Sequence, residues 1–380
     1  MSDKNQNEYL MQNNDMTQTQ QIEHLSQPEQ APPQLVPSPN FASWLAVTGG
    51  SLAFSTYQSG RLFLLGSHQD SSLYAQERNV GTAMGLAIDT QTLWIGCRDQ
   101  IWRFVNSGAG QLHQQDYDAI FLPRVGYMIG QSNTHDVLAN VTWAGQSYEF
   151  LYANTQYSCI ACLDSHYNFR PVWTPDFITE LKAEDRCHLN GICAQDNELA
   201  FATLCGRYDT PLGWKAEQTG GGLVMDVRTN TVVCRGLSMP HSPRWHNGKL
   251  WLLNSGEGEL GYVDFTRQCF VPVCQCAGFA RGLAFVGDYA VVALSRLRQS
   301  QEGILSSINL AQRLQDRHSF QRCGLQVFDL TSHKLTHWLH ITGAVSELYD
   351  VVYLPEKARP YTTGFSEPHI NMKRVFFPAQ

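Results

Sequence analysis

Short apolar runs recur along the whole chain, and clusters of Gly, Asn, Asp and Ser cut each one off. That is the pattern of strands joined by turns. The clearest stretch is PHSPRWHNGKLWLLNSGEGELGYVD at 240–264. It reads as a strand, the turn His246-Asn247-Gly248, a second strand, a polar loop and a third strand. The same unit returns as SLAFSTYQSGRLFLLG at 51–66, TLWIGCRDQIWRFV at 92–105 and YEFLYANTQYSCIACLD at 148–164. Two further copies are interrupted. ELAFATLCGRYD at 198 resumes as GGLVMDVRTNTVV at 221, and YAVVALSRLR at 289 resumes as CGLQVFDLTSHKLTHWL at 323.

A leading strand precedes five of these units, at 83–89, 135–141, 190–195, 242–248 and 281–287. The 51–66 unit has none, and one strand, LYDVVYLP at 348–355, is left over. The expectation is an all-β, six-bladed β-propeller of four-stranded blades closed by the C-terminal strand, because radial packing of blades protects strand edges. Seven blades is the rival count, and 116–128 can hold a strand D or a partial blade. Helical periodicity is confined to 41–47, 177–183 and 304–314. Residues 1–38 are rich in Gln, Asn and Pro and poor in aliphatics, so a disordered N-terminal tail is expected. The propeller is then one domain, 39–356, followed by a C-terminal extension, 357–380.

Composition removes several classes of function. A net charge of -7 without clustered Lys and Arg excludes a nucleic-acid surface. No apolar run is long enough for a membrane span. The first residues lack a secretory h-region, so a cytoplasmic protein with its 11 cysteines reduced is expected. Cys159-x-x-Cys162 and Cys274-x-Cys276 lie in strand-like runs without His partners at zinc-finger spacing. Gly220-Gly221-Gly222 lacks a following Lys-Ser/Thr, so it is no phosphate loop. No feature calls for a second copy, and a monomer is expected.

Antiparallel succession places the start of each leading strand and the end of the next strand at one end of the blade. Polar residues crowd those slots. The first set is Met84, Thr134 with His135 and Asp136, His188 with Asn190, His241 to Arg244, Arg281, and Glu347 with Asp350. The second set includes Tyr57, Asn154, and Asn254 with Glu257. The insertions 205–219 and 298–322 fall in loops at the same end and can serve as lids, although surface insertions are also cheap.

Three chemistries fit these residues. His135, His188 and His241 at comparable strand starts can hold a divalent metal with Asp136 or Glu347, or act as general bases. They equally suit an ordinary channel mouth that holds water and caps backbone groups. Arg244 and Arg281 suit a carboxylate or phosphate, unless Asp136, Glu347 and Asp350 neutralise them internally. The mixed charges favour a small polar ligand bound by His135, Asp136, His188, Asn190, His241, Arg244, Asn254, Glu257, Arg281, Glu347 and Asp350. The alternatives are a metal-dependent hydrolase or lyase and a protein-interaction scaffold.

PHSPRW at 240–245, with KLWLLNSGEGELGYVD, SLAFSTYQSGRLFLLG and NGICA, resembles an uncharacterised bacterial family of conserved hypothetical proteins sometimes joined to tetratricopeptide repeats. The resemblance implies a propeller and brings no catalytic residues with it. MGLAID and RGLAFVG are also distantly similar to the six-bladed gluconolactonases, paraoxonases and strictosidine synthases. That likeness implies a Ca²⁺ site in which Glu347, Asn190 and Asp350 would take part, and the added His and Arg residues depart from it.

Overall fold

In the computed structural model, residues 32–297, 308 and 310–374 are described. The chain is all-β. Its strands form two four-stranded sheets, two five-stranded sheets, one eight-stranded sheet and a two-stranded ribbon. The eight-stranded sheet is two antiparallel meanders touching through one parallel pair, Thr142 with Glu198. Every other meander follows the same order, from an inner strand outwards. Ala119–Met128 is the outer strand of the meander that starts at Ala83–Ile88, and Gln115–Tyr117 pairs only with Gly110–Leu112. The 116–128 segment therefore holds the strand D of that meander rather than a partial blade. Leu348–Leu354 pairs antiparallel with Ser51–Thr56, beginning the sheet that Arg61–Ser67 and Leu73–Asn79 continue.

The near-continuous apolar strands are explained by burial on both faces. In Lys249–Asn254, Leu250 and Leu252 pack with Phe201 and Val224 of the preceding meander. Trp251 and Leu253 pack with Ala290 and Val292 of the following one. Phe63 and Leu65 likewise join Val291 and Leu325, while Leu62 and Leu64 join Ile95 and Phe104. The core is thus a series of layers between successive sheets, a propeller-like arrangement. The inner strands Ala83–Ile88, Thr134–Trp143, Leu189–Gln195, Pro240–His246, Phe279–Val286 and Leu348–Leu354 each pack on the next.

Inner strands approach closely, and glycines make room. A Cβ on Gly282 would lie 2.7 Å from the Asp350 Cα, and one on Gly191 would lie 2.4 Å from Pro243 Cδ. Irregularities in pairing fall at this level, between Thr134 and Val137 and between His241 and Arg244. Such bulges re-aim side chains.

The connections correct several expectations. Phe41–Val47 is helical, with Phe41 and Leu45 buried one turn apart. The 177–183 segment is irregular, without a helix. Leu310–Asp316 is helical, and 304–307 with 309 lie outside the described residues. Gln34–Pro37, placed in the disordered tail by its composition, adds antiparallel to Lys334–Thr342. Residues 1–31 lie outside the described residues. Pro360–Thr362, from the C-terminal extension, adds parallel to Ala119–Met128. Both segments cover outer edges that would otherwise present unpaired backbone groups. Among the described residues, no helix is long and apolar enough to cross a membrane.

Candidate functional site

Met84, His135, His241, Arg281 and Tyr349 stand near the starts of five inner strands, and His188 directly precedes the sixth. Together they line a cavity of about 290 Å³, at the lower end of the size range of ligand pockets. The 205–219 insertion contributes Leu212, Trp214 and Lys215 to its wall. Ile308, Leu310 and Leu314, from the second insertion, pack behind Trp214 against Cys205, Met239 and Phe279. The described parts of both insertions lie at this end of the molecule; 298–307 and 309 lie outside the described residues.

Each His is held by its Nδ1. His135 Nδ1 lies 2.8 Å from the Asn133 carbonyl and 2.8 Å from Thr155 Oγ1. His241 Nδ1 lies 2.8 Å from the Met239 carbonyl and 3.0 Å from Ser255 Oγ. His188 Nδ1 lies 2.8 Å from an Asp185 carboxylate oxygen, which also accepts from Trp214 Nε1 at 3.0 Å. Trp214 stacks on the His188 ring at 4.1 Å. The His135 and His188 rings meet edge to face at 4.8 Å. Burial pushes the His135 pKa well below its ordinary value, and His188 adds to the effect against the opposing bond to Asn133. Burial does the same for His241, aided by Arg281. Both rings are neutral near pH 7.

Arg281 and Lys215 are the cations that line the cavity, and Arg281 is the one set among aromatic rings. Its guanidinium lies 5.2 Å from the Phe279 ring centre and 5.1 Å from that of Tyr349, within cation–π range. Among the described residues no carboxylate pairs with it, and its buried Nε has no hydrogen-bond partner. The buried Tyr349 hydroxyl has none either. Burial holds the Tyr349 pKa well above its ordinary value despite Arg281, so the phenol keeps its proton.

One residue past His135 and Tyr349, and three past His241, the inner strands carry an ion cluster. Arg244 donates to Asp136 through both terminal nitrogens, at 2.8 and 3.0 Å. Its Nη2 lies 3.6 Å from Asp350. Asp136 also accepts the Val137 and Ile192 backbone N–H groups, both at 3.0 Å. Asp350 accepts those of Leu86 and Val351, both at 2.8 Å. Burial raises the Asp350 pKa, and Asp136 adds to the rise while Arg244 opposes it. For Arg244, burial works against the charge, but the two carboxylates outweigh it and its pKa is raised. Below the cluster lies a second cavity of about 670 Å³, lined by the later residues of the inner strands. It is larger, but the guanidinium it meets belongs to the already neutralised Arg244.

The structure therefore divides the expected ligand set. His135, His188, His241 and Arg281 share the upper cavity. Arg244, expected at the mouth, lies below it with Asp136 and Asp350, because three residues of strand and a bulge separate it from His241. Asn190 is buried between Thr203 Oγ1 and Cys205 Sγ, at 2.9 and 3.3 Å. Asn254 accepts the Ser238 N–H at 2.7 Å and donates to Glu259. Glu257 pairs with Arg313 on the rim. Glu347 is buried outside the cavity lining. Among the described residues no three His, Cys, Asp or Glu side chains are grouped as metal ligands. The His trio does not assemble into one, and Asn190 and Asp350 are engaged apart, with Thr203 and with Arg244. The cysteines, including Cys159 with Cys162 and Cys274 with Cys276, are free thiols.

Tyr349, Asp185 and Trp214 are cavity residues that the sequence reading did not name. Tyr349 had a signal, since Tyr349-Asp350-Val351 repeats the slots of His135-Asp136-Val137. Trp214 had none, because an insertion has no counterpart in the other units.

Residues 39–363 match the family described as a domain of unknown function, DUF4915. No curated protein matches the chain. Among solved structures, a chain from the crystal structure of a nidogen/laminin complex is similar, with a TM-score of 0.47 and 9% identity. The alignment covers 81% of this chain and 99% of that one.

Proposed function

The chain belongs to the DUF4915 family, and we propose that this member is a six-bladed propeller, closed by its C-terminal strand, that binds a small polar anion. Support for the ring comes from packing. Inner strands follow one another from Ala83–Ile88 to Phe279–Val286, and Leu348–Leu354 packs against both of these. The layer containing Phe54 and Phe63 joins the last meander to the first.

The observation that carries the binding reading is Arg281. A guanidinium set between two aromatic rings, without a carboxylate partner among the described residues and with an orphaned Nε, is costly unless an anion completes it. The orphaned Tyr349 hydroxyl beside it is a second donor for the same guest. A carboxylate or a phosphate fits this pair. Eleven free thiols suit a reducing cytoplasm. The test is calorimetric titration of the wild type and Arg281→Met with small carboxylates and phosphates. Binding by the wild type that Arg281→Met abolishes supports the reading. Equal binding by both proteins, or by neither, overturns it.

A second reading, a hydrolase or lyase, is favoured by one observation. Asp185 holds His188 by Nδ1, which leaves Nε2 on the cavity wall as a general base would need. Loss of turnover in His188→Gln, with ligand affinity kept, would support it. No metal-ligand grouping is part of that reading.

A further inference from the structure

The two neutral histidines of the cavity are fixed in one tautomer by their neighbours. A carbonyl oxygen only accepts, so the Nδ1 atoms facing Asn133 O and Met239 O carry the proton. The nearby hydroxyls agree. Thr155 donates to the Leu189 carbonyl at 2.6 Å, so towards His135 its oxygen is an acceptor. Ser255 donates to the Ala280 carbonyl and stands in the same relation to His241. The two sets repeat one design, since Asn154-Thr155 and Asn254-Ser255 end equivalent strands and open equivalent short turns. Nε2 of each ring is therefore a bare lone pair on a cavity residue. Among the described residues neither has a hydrogen-bond partner.

The cavity thus presents two kinds of unmet demand. Arg281 and the Tyr349 hydroxyl ask for an acceptor with negative charge. His135 Nε2 and His241 Nε2 ask for donors. A bare anion satisfies the first and turns lone pairs towards the second. An ammonium group would satisfy the histidines, but it would share a small cavity with the uncompensated Arg281. Asp185, the nearby carboxylate, is already engaged by His188 and Trp214. A hydroxyl donates without bringing charge.

We propose that the guest is a small hydroxy acid, its carboxylate on Arg281 and Tyr349 and its hydroxyl groups donating to His135 Nε2 and His241 Nε2. The class of ligand rests on the reading of Arg281 as the anion anchor. The alignment of acceptors and donors then selects against the deoxy acid, because a site built to bond a hydroxyl is left unpaired by the analogue that lacks it.

The test titrates the full chain with D-glycerate, propionate and serine by calorimetry. D-glycerate binding at least tenfold tighter than propionate, and tighter than serine, is the expected result. His241→Phe and His135→Phe should bring the ratio of D-glycerate to propionate towards one while leaving propionate binding in place. Histidine ¹⁵N shifts of the wild type give a readout that does not depend on a variant folding. Two rings should show protonated Nδ1 and bare Nε2, and Nε2 should move on adding D-glycerate but not propionate. A ratio near one, serine as the tighter ligand, or protonated Nε2 in both rings overturns the proposal, while loss of all binding in Arg281→Met leaves the anion reading standing. Failure of all three compounds to bind, with Arg281→Met unchanged, sinks both.

Discussion

Replacing Arg244 by Met tests the cluster that divides the channel. The guanidinium is the one cation between Asp136 and Asp350, with only about a fifth of its side chain exposed and 3% of each carboxylate. Without it, Asp136 keeps the N–H groups of Val137 and Ile192, and Asp350 keeps those of Leu86 and Val351. Four backbone donors do not neutralise buried carboxylate charge. Breaking a buried pair by removing one partner costs roughly 3–5 kcal/mol, so a loss of that size is expected in equilibrium urea unfolding at pH 7. The sign of the pH dependence follows from linkage. The uncompensated carboxylates have folded pKa values above their unfolded ones, so the folded state binds more protons between the two. Relative to wild type, Arg244→Met should therefore regain stability as pH falls from 7 towards the ordinary carboxylate range. A triple variant, Arg244→Met with Asp136→Asn and Asp350→Asn, removes the charges and should recover at least half of the loss. A cost below about 1 kcal/mol, the value of a surface pair, would refute the reasoning. So would a loss that acid does not relieve.

Four more outcomes are expected. His135 and His241 are neutral in the folded state, whereas their unfolded counterparts protonate below the ordinary value of 6.5. The unfolded state therefore takes up more protons, and stability falls with pH below that point at about 1.4 kcal/mol per unit for each ring; His241→Phe should flatten this limb of the urea-derived curve. Trp214→Leu removes the stack on His188 and the bond to Asp185, and should weaken ligand affinity by about tenfold, as one lost hydrogen bond to a charged group implies, and lower the unfolding midpoint as well, because the indole is buried. Gly282→Ala drives a Cβ against the Asp350 backbone and should cost about 1–3 kcal/mol in thermal or urea unfolding. A chain ending at Glu347 leaves Ser51–Thr56 without its inner partner, and should aggregate or elute as an expanded species in size-exclusion chromatography; a compact, soluble monomer would count against closure.

Local pattern carried most of the strand map. Leu250 to Leu253, Leu62 to Leu65 and Val291 to Ala293 announce strands buried on both faces because each needs apolar cover whatever its partner is. The unpaired 51–66 unit and the spare 348–355 strand likewise pointed to each other, since each lacked what the other offered. Gln34–Pro37 was not legible as a strand: its composition matches the polar tail, and only the exposed edge of Lys334–Thr342 made it one.

The same division runs through the site. That His135, His188, His241 and Arg281 gather at one end was set by their places at strand starts, which depend on chain order alone. Tertiary structure decided what each of them does. Arg244 is three residues from His241, and at about 3.3 Å per residue that is roughly 10 Å along a strand, enough to carry it past the bulge into the ion cluster. Its partners, Asp136 and Asp350, come from strands 108 residues away and at the far end of the chain. Trp214 reaches His188 only because the 205–219 insertion folds back over the cavity. A sequence fixes which faces must be buried, because burial is a property of each side chain. Which charge meets which, and which donor is left without a partner, is a property of register between strands that only the folded chain brings together.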